Sequence, residues 1–268
     1  MKFVTEFSVM SRPLRVGQGF NPAVMFDGAA TGVWFDPADR QSLFQDAAGT
    51  IPVTAPGQPV ARMTDKSGNG NHATQSTIAA RPIYREDAVG RGYLEFDGID
   101  DRLNTPTITP GTSKMQLFAG FRKLTEGGNG ILCELGSGST PRSFLVSAPT
   151  SNAANAVNYL YRPDSGLVVN TVNDNFPLDT PGVLAATCDL AVSTSTTRID
   201  GAPVLTVSSG LTAPQFNAGV LYIGGRASAT LPFSGQLFGM AIRFGSELGL
   251  KEIAGMERYL SARLGGTA

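Results

Sequence analysis

Cysteine is nearly absent: Cys133 and Cys188 are the only two in 268 residues, too few for a disulfide framework and without metal-ligand spacing. Each sits in an apolar run, Ile131-Leu132-Cys133 and Leu184-Ala185-Ala186-Thr187-Cys188, so both are expected to be buried free thiols. Histidine is limited to His72. A histidine-assisted nucleophile would have to use it, yet it lies in a glycine–asparagine turn and no Gly-x-Ser-x-Gly elbow accompanies it. Neither sign of charge dominates, with 21 basic against 22 acidic residues and a net charge of −1. That balance supplies no broad basic surface for phosphate backbones and argues against a nucleic-acid partner. No run of about eighteen apolar residues occurs, so no transmembrane helix and no membrane insertion are expected. Glu6 falls where a signal peptide would build its apolar stretch, which reads as a protein not exported by the general secretory route. Gly127-Gly128-Asn129-Gly130 is not followed by Gly-Lys-Ser/Thr; it reads as a hairpin tip and not as a phosphate loop.

The chain is rich in turn formers, with 32 glycines and 17 prolines. At 41% hydrophobic it can bury a sizeable core, while its 16% charge lies below the roughly 25% of ordinary globular domains. Runs of four to ten residues bounded by Gly, Ser, Asn or Pro recur at Met115–Arg122, Gly130–Leu135, Phe144–Val146, Ala156–Tyr161, Leu167–Val172, Gly182–Cys188, Thr196–Ile199, Val204–Val207 and Val220–Ile223. Strands of this length without intervening helices predict an all-β antiparallel sandwich. Asp200-Gly201 between two such runs is a two-residue hairpin signal. Val33-Trp34-Phe35 predicts a strand whose tryptophan anchors the core. Asp36-Pro37-Ala38-Asp39 reads as a helix start with Asp36 as N-cap, followed by a short helical turn through Leu43 and Phe44. Asp65–Ala73 predicts a tight multi-turn.

Helical period is clear only at the end. Leu250, Ile253, Met256, Leu260 and Leu264 recur at spacings of three and four, predicting a helix over 250–264 that lies on the sandwich and is stopped by Gly265-Gly266. Residues 1–30 show neither period, although Phe3, Phe7, Phe20, Met25 and Phe26 punctuate them. They read either as a closing strand or loop of the domain over 31–268, or as an N-terminal arm that docks on a partner chain.

Trp34-Phe35-Asp36, then Asp65-Lys66-Ser67-Gly68-Asn69-Gly70-Asn71-His72-Ala73, then Leu94-Glu95-Phe96-Asp97-Gly98-Ile99-Asp100-Asp101, in that order, resemble the laminin-G-like, concanavalin A-like lectin/glucanase superfamily. Arg198-Ile199-Asp200-Gly201 and Leu221-Tyr222-Ile223-Gly224-Gly225-Arg226 are similar to its strand–turn–strand steps. Phe233-Ser234-Gly235-Gln236-Leu237-Phe238-Gly239 and the last helix resemble the closing segment of versions carried by tailed phages, prophages and phage-derived particles. The resemblance covers about residues 31 to 268. It implies a two-sheet antiparallel jelly-roll sandwich and, through the phage-borne members, a noncatalytic virion component: a head decoration, spike or tail-associated protein. Residues 1–30 would bind other particle proteins, the chain would form homo-oligomers, and the sandwich would present a host-surface glycan-binding face. One fold hosts many functions, so a free carbohydrate-binding module or glycan hydrolase is the competing reading.

Candidate chemistry is sparse. Glycan hydrolases of the superfamily place carboxylates close together on one strand face; Glu95, Asp97 and Asp100 mimic that spacing, but Gly98 is expected to turn Asp100 away from the other two. No cofactor is required. The resemblance implies a structural calcium held by Asp65, Asn69 and Asn71, although the matching acid is missing from Leu237–Phe244. A glycan platform needs an aromatic with polar neighbours, and two are available: Tyr161 with Arg162, next to Tyr159, and Tyr222 with Arg226.

Overall fold

The computed structural model describes residues 19–28, 30–151, 154–163 and 168–265. Residues 1–18, most of the expected arm, lie outside them. The strands, in chain order, are β1 (Thr31–Phe35), β2 (Leu43–Phe44), β3 (Arg62–Met63), β4 (Ala73–Thr74), β5 (Ile83–Glu86), β6 (Gly92–Asp97), β7 (Leu103–Ile108), β8 (Lys114–Lys123) and β9 (Ile131–Leu135). They continue as β10 (Ser143–Ser147), β11 (Val157–Arg162), β12 (Val169–Asn173), β13 (Gly182–Asp189), β14 (Thr194–Ile199), β15 (Ala202–Ser208), β16 (Gly219–Ile223) and β17 (Ser234–Phe244), before helix α1 (Leu250–Leu264).

Two antiparallel sheets stack face to face as a jelly-roll sandwich. The first has 8 strands in the order β15-β14-β13-β8-β17-β6-β5, with β1 sharing the β6 side of β17. The second has 9, in the order β12-β11-β10-β9-β16-β7-β4-β3-β2. Inward residues such as Leu117, Phe121 and Ile242 meet Leu132, Phe144 and Tyr159 of the opposite sheet in one core, each fully buried large side chain contributing about 1.5–3 kcal/mol. Phe121 stacks on Phe176 with centroids 4.4 Å apart. Both cysteines are free and buried in this core.

A second apolar layer lies outside the first sheet. Phe118, Val183, Ala185 and Ala241 point away from the main core and are covered by Ile253, Met256 and Leu260 of α1. Gly239 permits the approach: a Cβ there would stand 2.8 Å from the Leu260 side chain. Trp34 belongs to this layer and not to the central core. It meets Tyr259 edge-on at 6.1 Å. A 3-10 turn over Pro22–Phe26 buries Met25 and Phe26 in the same layer, and Phe20 rests on Gly255 of α1, so residues 20–26 pack on the domain.

Several local expectations are corrected. Asp36 caps no helix; its carboxylate accepts from Tyr259 and Arg263 instead. Leu43 and Phe44 form β2, after a 3-10 turn at Arg40–Ser42. Gly127–Gly130 is not a hairpin tip, because β8 and β9 on either side belong to different sheets and the segment crosses between them. Leu250 is 79% exposed, so the covering stripe of α1 starts at Ile253. Asp200 and Gly201, with φ of 48° and 80°, form the expected tight turn, and Gly265 at φ 91° ends α1 in the left-handed region.

Candidate functional site: a cleft on the outer face of the second sheet

Along β9, β10 and β11 every residue is buried. A sheet with one wet face alternates; these strands do not, because loops cover part of their outer face. Ile131, Leu145 and Leu160 project outward there and, with Leu231 from the loop after β16, form an apolar cluster separate from the main core. They floor a cleft of about 230 Å³. Its rim carries amides and hydroxyls, among them Asn129, Ser147, Asn158 and Asn170.

The charged element of this face is Glu134, fully buried. It stands opposite Leu145 across the β9–β10 ladder and opposite Tyr222 across the β9–β16 ladder. Arg226 grips it through two donors, Nε to Oε2 at 2.9 Å and Nη2 to Oε1 at 3.2 Å, the bidentate fork that favours arginine for carboxylates. Arg162 approaches the same Oε1 at 3.6 Å and donates to Ser143 Oγ at 3.3 Å. Burial holds the Arg162 guanidinium below its usual value, against the opposing pull of Glu134. Gly138 has no side chain to obstruct the Arg226 guanidinium, which lies 2.7 Å from where a Cβ would be.

The structure therefore brings together three of the four expected glycan-surface residues. Arg162, Tyr222 and Arg226 meet around Glu134, joining two separately expected platforms. Tyr161 is corrected: it faces the core, fully buried, with its hydroxyl donating to the Ser193 carbonyl at 3.1 Å. Tyr159 is buried likewise. Side-chain alternation explains both, since Arg162 faces outward and its neighbour Tyr161 must face inward. Glu134 was not anticipated. Its signal was a lone acid in the apolar run Ile131–Leu135, which demands a buried partner.

The Asp65 loop is built for a different task. Asp65 Oδ1 accepts from the backbone N–H groups of Trp34 and Ser67, and Oδ2 from Ser67 Oγ and the Asn71 N–H. Four donors thus surround one carboxylate. Asn71 donates to the Gly32 carbonyl and Asn69 to Ser67 Oγ. A cation needs those oxygens directed at itself, so this donor-filled arrangement does not fit the calcium expectation. His72 Nδ1 accepts from the Asp65 N–H at 3.1 Å; burial and then Arg62 lower its pKa, in keeping with a neutral structural acceptor.

The acidic turn after β6 also differs from expectation. Asp100 does not turn away from Asp97; one carboxylate oxygen each of Asp97, Asp100 and Asp101 lie within 4.8 Å of one another. Glu95 is paired with Arg85 at 2.9 Å. Asp97 Oδ1 accepts from the Ile99 N–H at 2.8 Å and Asp101 Oδ2 from the Asp97 N–H at 3.0 Å, bonds that shape a turn. A larger hollow of about 370 Å³ lies on the first sheet. Its Lys114 and Asp189 pair with each other at 3.5 Å, and hydroxyls such as Thr194 and Thr196 take the place of an apolar floor.

Fold and cleft together define an antiparallel jelly-roll sandwich with a cleft on its outer face. No protein-family model matches the chain, and no curated protein sequence matches it. Among solved structures it is similar to the binding domain of botulinum neurotoxin serotype G, with a TM-score of 0.59 and 11% identity over 75% of this chain and 49% of that one. The receptor binding domain of botulinum neurotoxin mosaic serotype C/D gives 0.57 and 7% identity over 84% and 52%. The serotype D ligand binding domain, solved in complex with N-acetylneuraminic acid, gives 0.56 and 8% over 74% and 48%. The chain spans about half the length of these proteins, and identities this low establish the fold alone.

Proposed function

We propose that the protein is a noncatalytic glycan-recognition domain serving as a structural component of a phage virion or phage-like particle, with the cleft over β9–β12 turned toward a host-surface glycan. The observation that carries the recognition is the apolar floor of Ile131, Leu145 and Leu160 inside a ring of amides and hydroxyls. A sugar offers the complement, a C–H face edged by hydroxyl groups. The structural neighbours, named as receptor- or ligand-binding domains, support the same reading. Glu95 and Asp97 are engaged in a salt bridge and a turn, which speaks against a hydrolase pair. The particle assignment, a head decoration, spike or tail-associated part, rests on the resemblance of Phe233–Gly239 and α1 to phage-borne domains. Edge strand β15, with Val204 and Leu205 exposed, suits homo-oligomer formation.

A glycan array probed with folded protein tests the recognition: binding is expected, and its loss in a Asn170→Ala, Leu231→Ala double variant locates it. Silence across the array overturns the reading. Electron microscopy of source-cell particles with a labelled antibody tests the particle role, and normal incorporation of a chain lacking residues 1–30 overturns the docking arm.

A further inference from the structure

The amides and guanidinium groups of the cleft have donors to spare and few free acceptors. Asn129 spends its Oδ1 on Ser151 N–H and Ser147 Oγ, and Asn170 spends its Oδ1 on Asn158 Nδ2 at 2.8 Å. Each amide therefore keeps its NH₂ for the cleft. Arg226 uses Nε and Nη2 on Glu134 and keeps Nη1. Thr150 is buried at 2% exposure and lines the cleft, yet its Oγ1 has no hydrogen-bond partner among the described residues. A buried hydroxyl left unpaired costs about 1–3 kcal/mol, and a ligand atom would relieve that.

Charge points the same way. Two guanidinium groups face one carboxylate, leaving an excess positive charge beneath a cleft whose described lining residues include no acid. A neutral sugar would bring hydroxyls that donate as readily as they accept. A carboxylate brings only acceptors, and would complete the charge balance that Glu134 leaves unfinished.

We infer that the ligand of this cleft is an acidic sugar, one whose carboxylate lies against Arg226 and Arg162 while its C–H face rests on Leu145 and Leu160. This rests on the glycan reading above and narrows it to one substrate class. Asn129 and Asn170 donate to the ring or exocyclic oxygens from the opposite rim, and Thr150 to an oxygen at the cleft floor.

Titration calorimetry or saturation-transfer NMR with methyl β-glucuronide against methyl β-glucoside, and with the galacto pair, isolates the carboxylate because each pair differs only at that position. N-acetylneuraminic acid is included as a third acid. At least one acid is expected to bind about tenfold tighter than its neutral counterpart, a preference that shrinks as salt rises. Arg226→Gln should abolish the preference. Glu134→Gln, which removes the competing carboxylate, should strengthen acid binding about threefold or more, a gain that damage to the fold would not produce. Asn170→Ala, at an exposed position, should weaken binding of the acid, with melting followed alongside because buried Asn158 loses its acceptor. Equal binding of acid and neutral sugars, or no gain in Glu134→Gln, overturns the inference and leaves glycan recognition standing. No binding of any sugar, with a silent array, overturns both.

Discussion

The Tyr259 hydroxyl donates to Asp36 Oδ2 at 2.6 Å, joining the last helix to the residue that follows β1 across 223 positions of sequence. Arg263 donates to the same oxygen at 2.9 Å, and Asp36 Oδ1 is buried without a partner among the described residues. Tyr259→Phe removes one of few compensations for a buried charge and should cost about 1–3 kcal/mol in urea unfolding. Trp34, the only tryptophan, touches the Tyr259 ring, so its fluorescence should report the change.

Alkaline stability follows from the same contact. Burial first, then Asp36, raises the Tyr259 pKa, and burial with Glu86 raises that of Tyr84. The folded state thus holds these protons more tightly than the unfolded chain. Their contribution is complete below about pH 10, where unfolded tyrosine titrates, and is lost as pH rises beyond it. Tyr259→Phe should therefore lose stability less steeply than wild type above pH 10, as read by midpoint against pH.

Asp101 acts in the opposite range. Burial, with Asp97 and Asp100 nearby, raises its pKa to about 6 from 3.8. The folded state prefers this carboxyl protonated, so stability from this group is present below about pH 4 and declines as pH rises through 6. Asp101→Asn should be about 1–2 kcal/mol more stable than wild type at pH 7, with a flatter profile between pH 4 and 6. An unchanged slope would exclude this account.

The cysteines should be inert in the folded protein. Burial raises the Cys188 thiol to about 12 and raises Cys133 as well, and the thiolate is the reactive form. A thiol-specific chromophore at pH 8 should register neither group in native buffer and two equivalents in 6 M guanidinium. Fast native labelling of either would contradict the burial.

The Asp65 loop yields a paired test. With four hydrogen bonds already on its carboxylate, a chelator should leave the melting temperature unchanged and added calcium should not raise it. Asp65→Ala should cost about 2–4 kcal/mol, since it strands buried backbone N–H groups. A chelator-induced drop of several degrees would restore the metal reading.

Local pattern made much of the fold legible. The strands from β8 to β17 declare themselves by short apolar runs between turn formers, and α1 by its three–four spacing. The pairs β2–β3 and β3–β4 did not, because two-residue strands such as Leu43–Phe44 have no period to detect. The turned-in Tyr161 was misplaced for a related reason: β11 is buried on both faces, so composition cannot say which side is the core. Arg162 and Arg226 looked like parts of two surfaces because the residue uniting them, Glu134, is 92 positions from one of them. Only strand order places β9 between β10 and β16.

The outer layer of the first sheet has a consequence for how the chain is made. Phe118, Val183, Ala185 and Ala241 are all synthesised before residues 250–264 that cover them. Until α1 emerges, the growing chain carries a finished sheet with a greasy back, a surface on which chaperones or sister chains compete with the helix. Docking of α1 covers that surface, and variants that disturb the Leu260–Gly239 contact should be seen first as insoluble protein during expression.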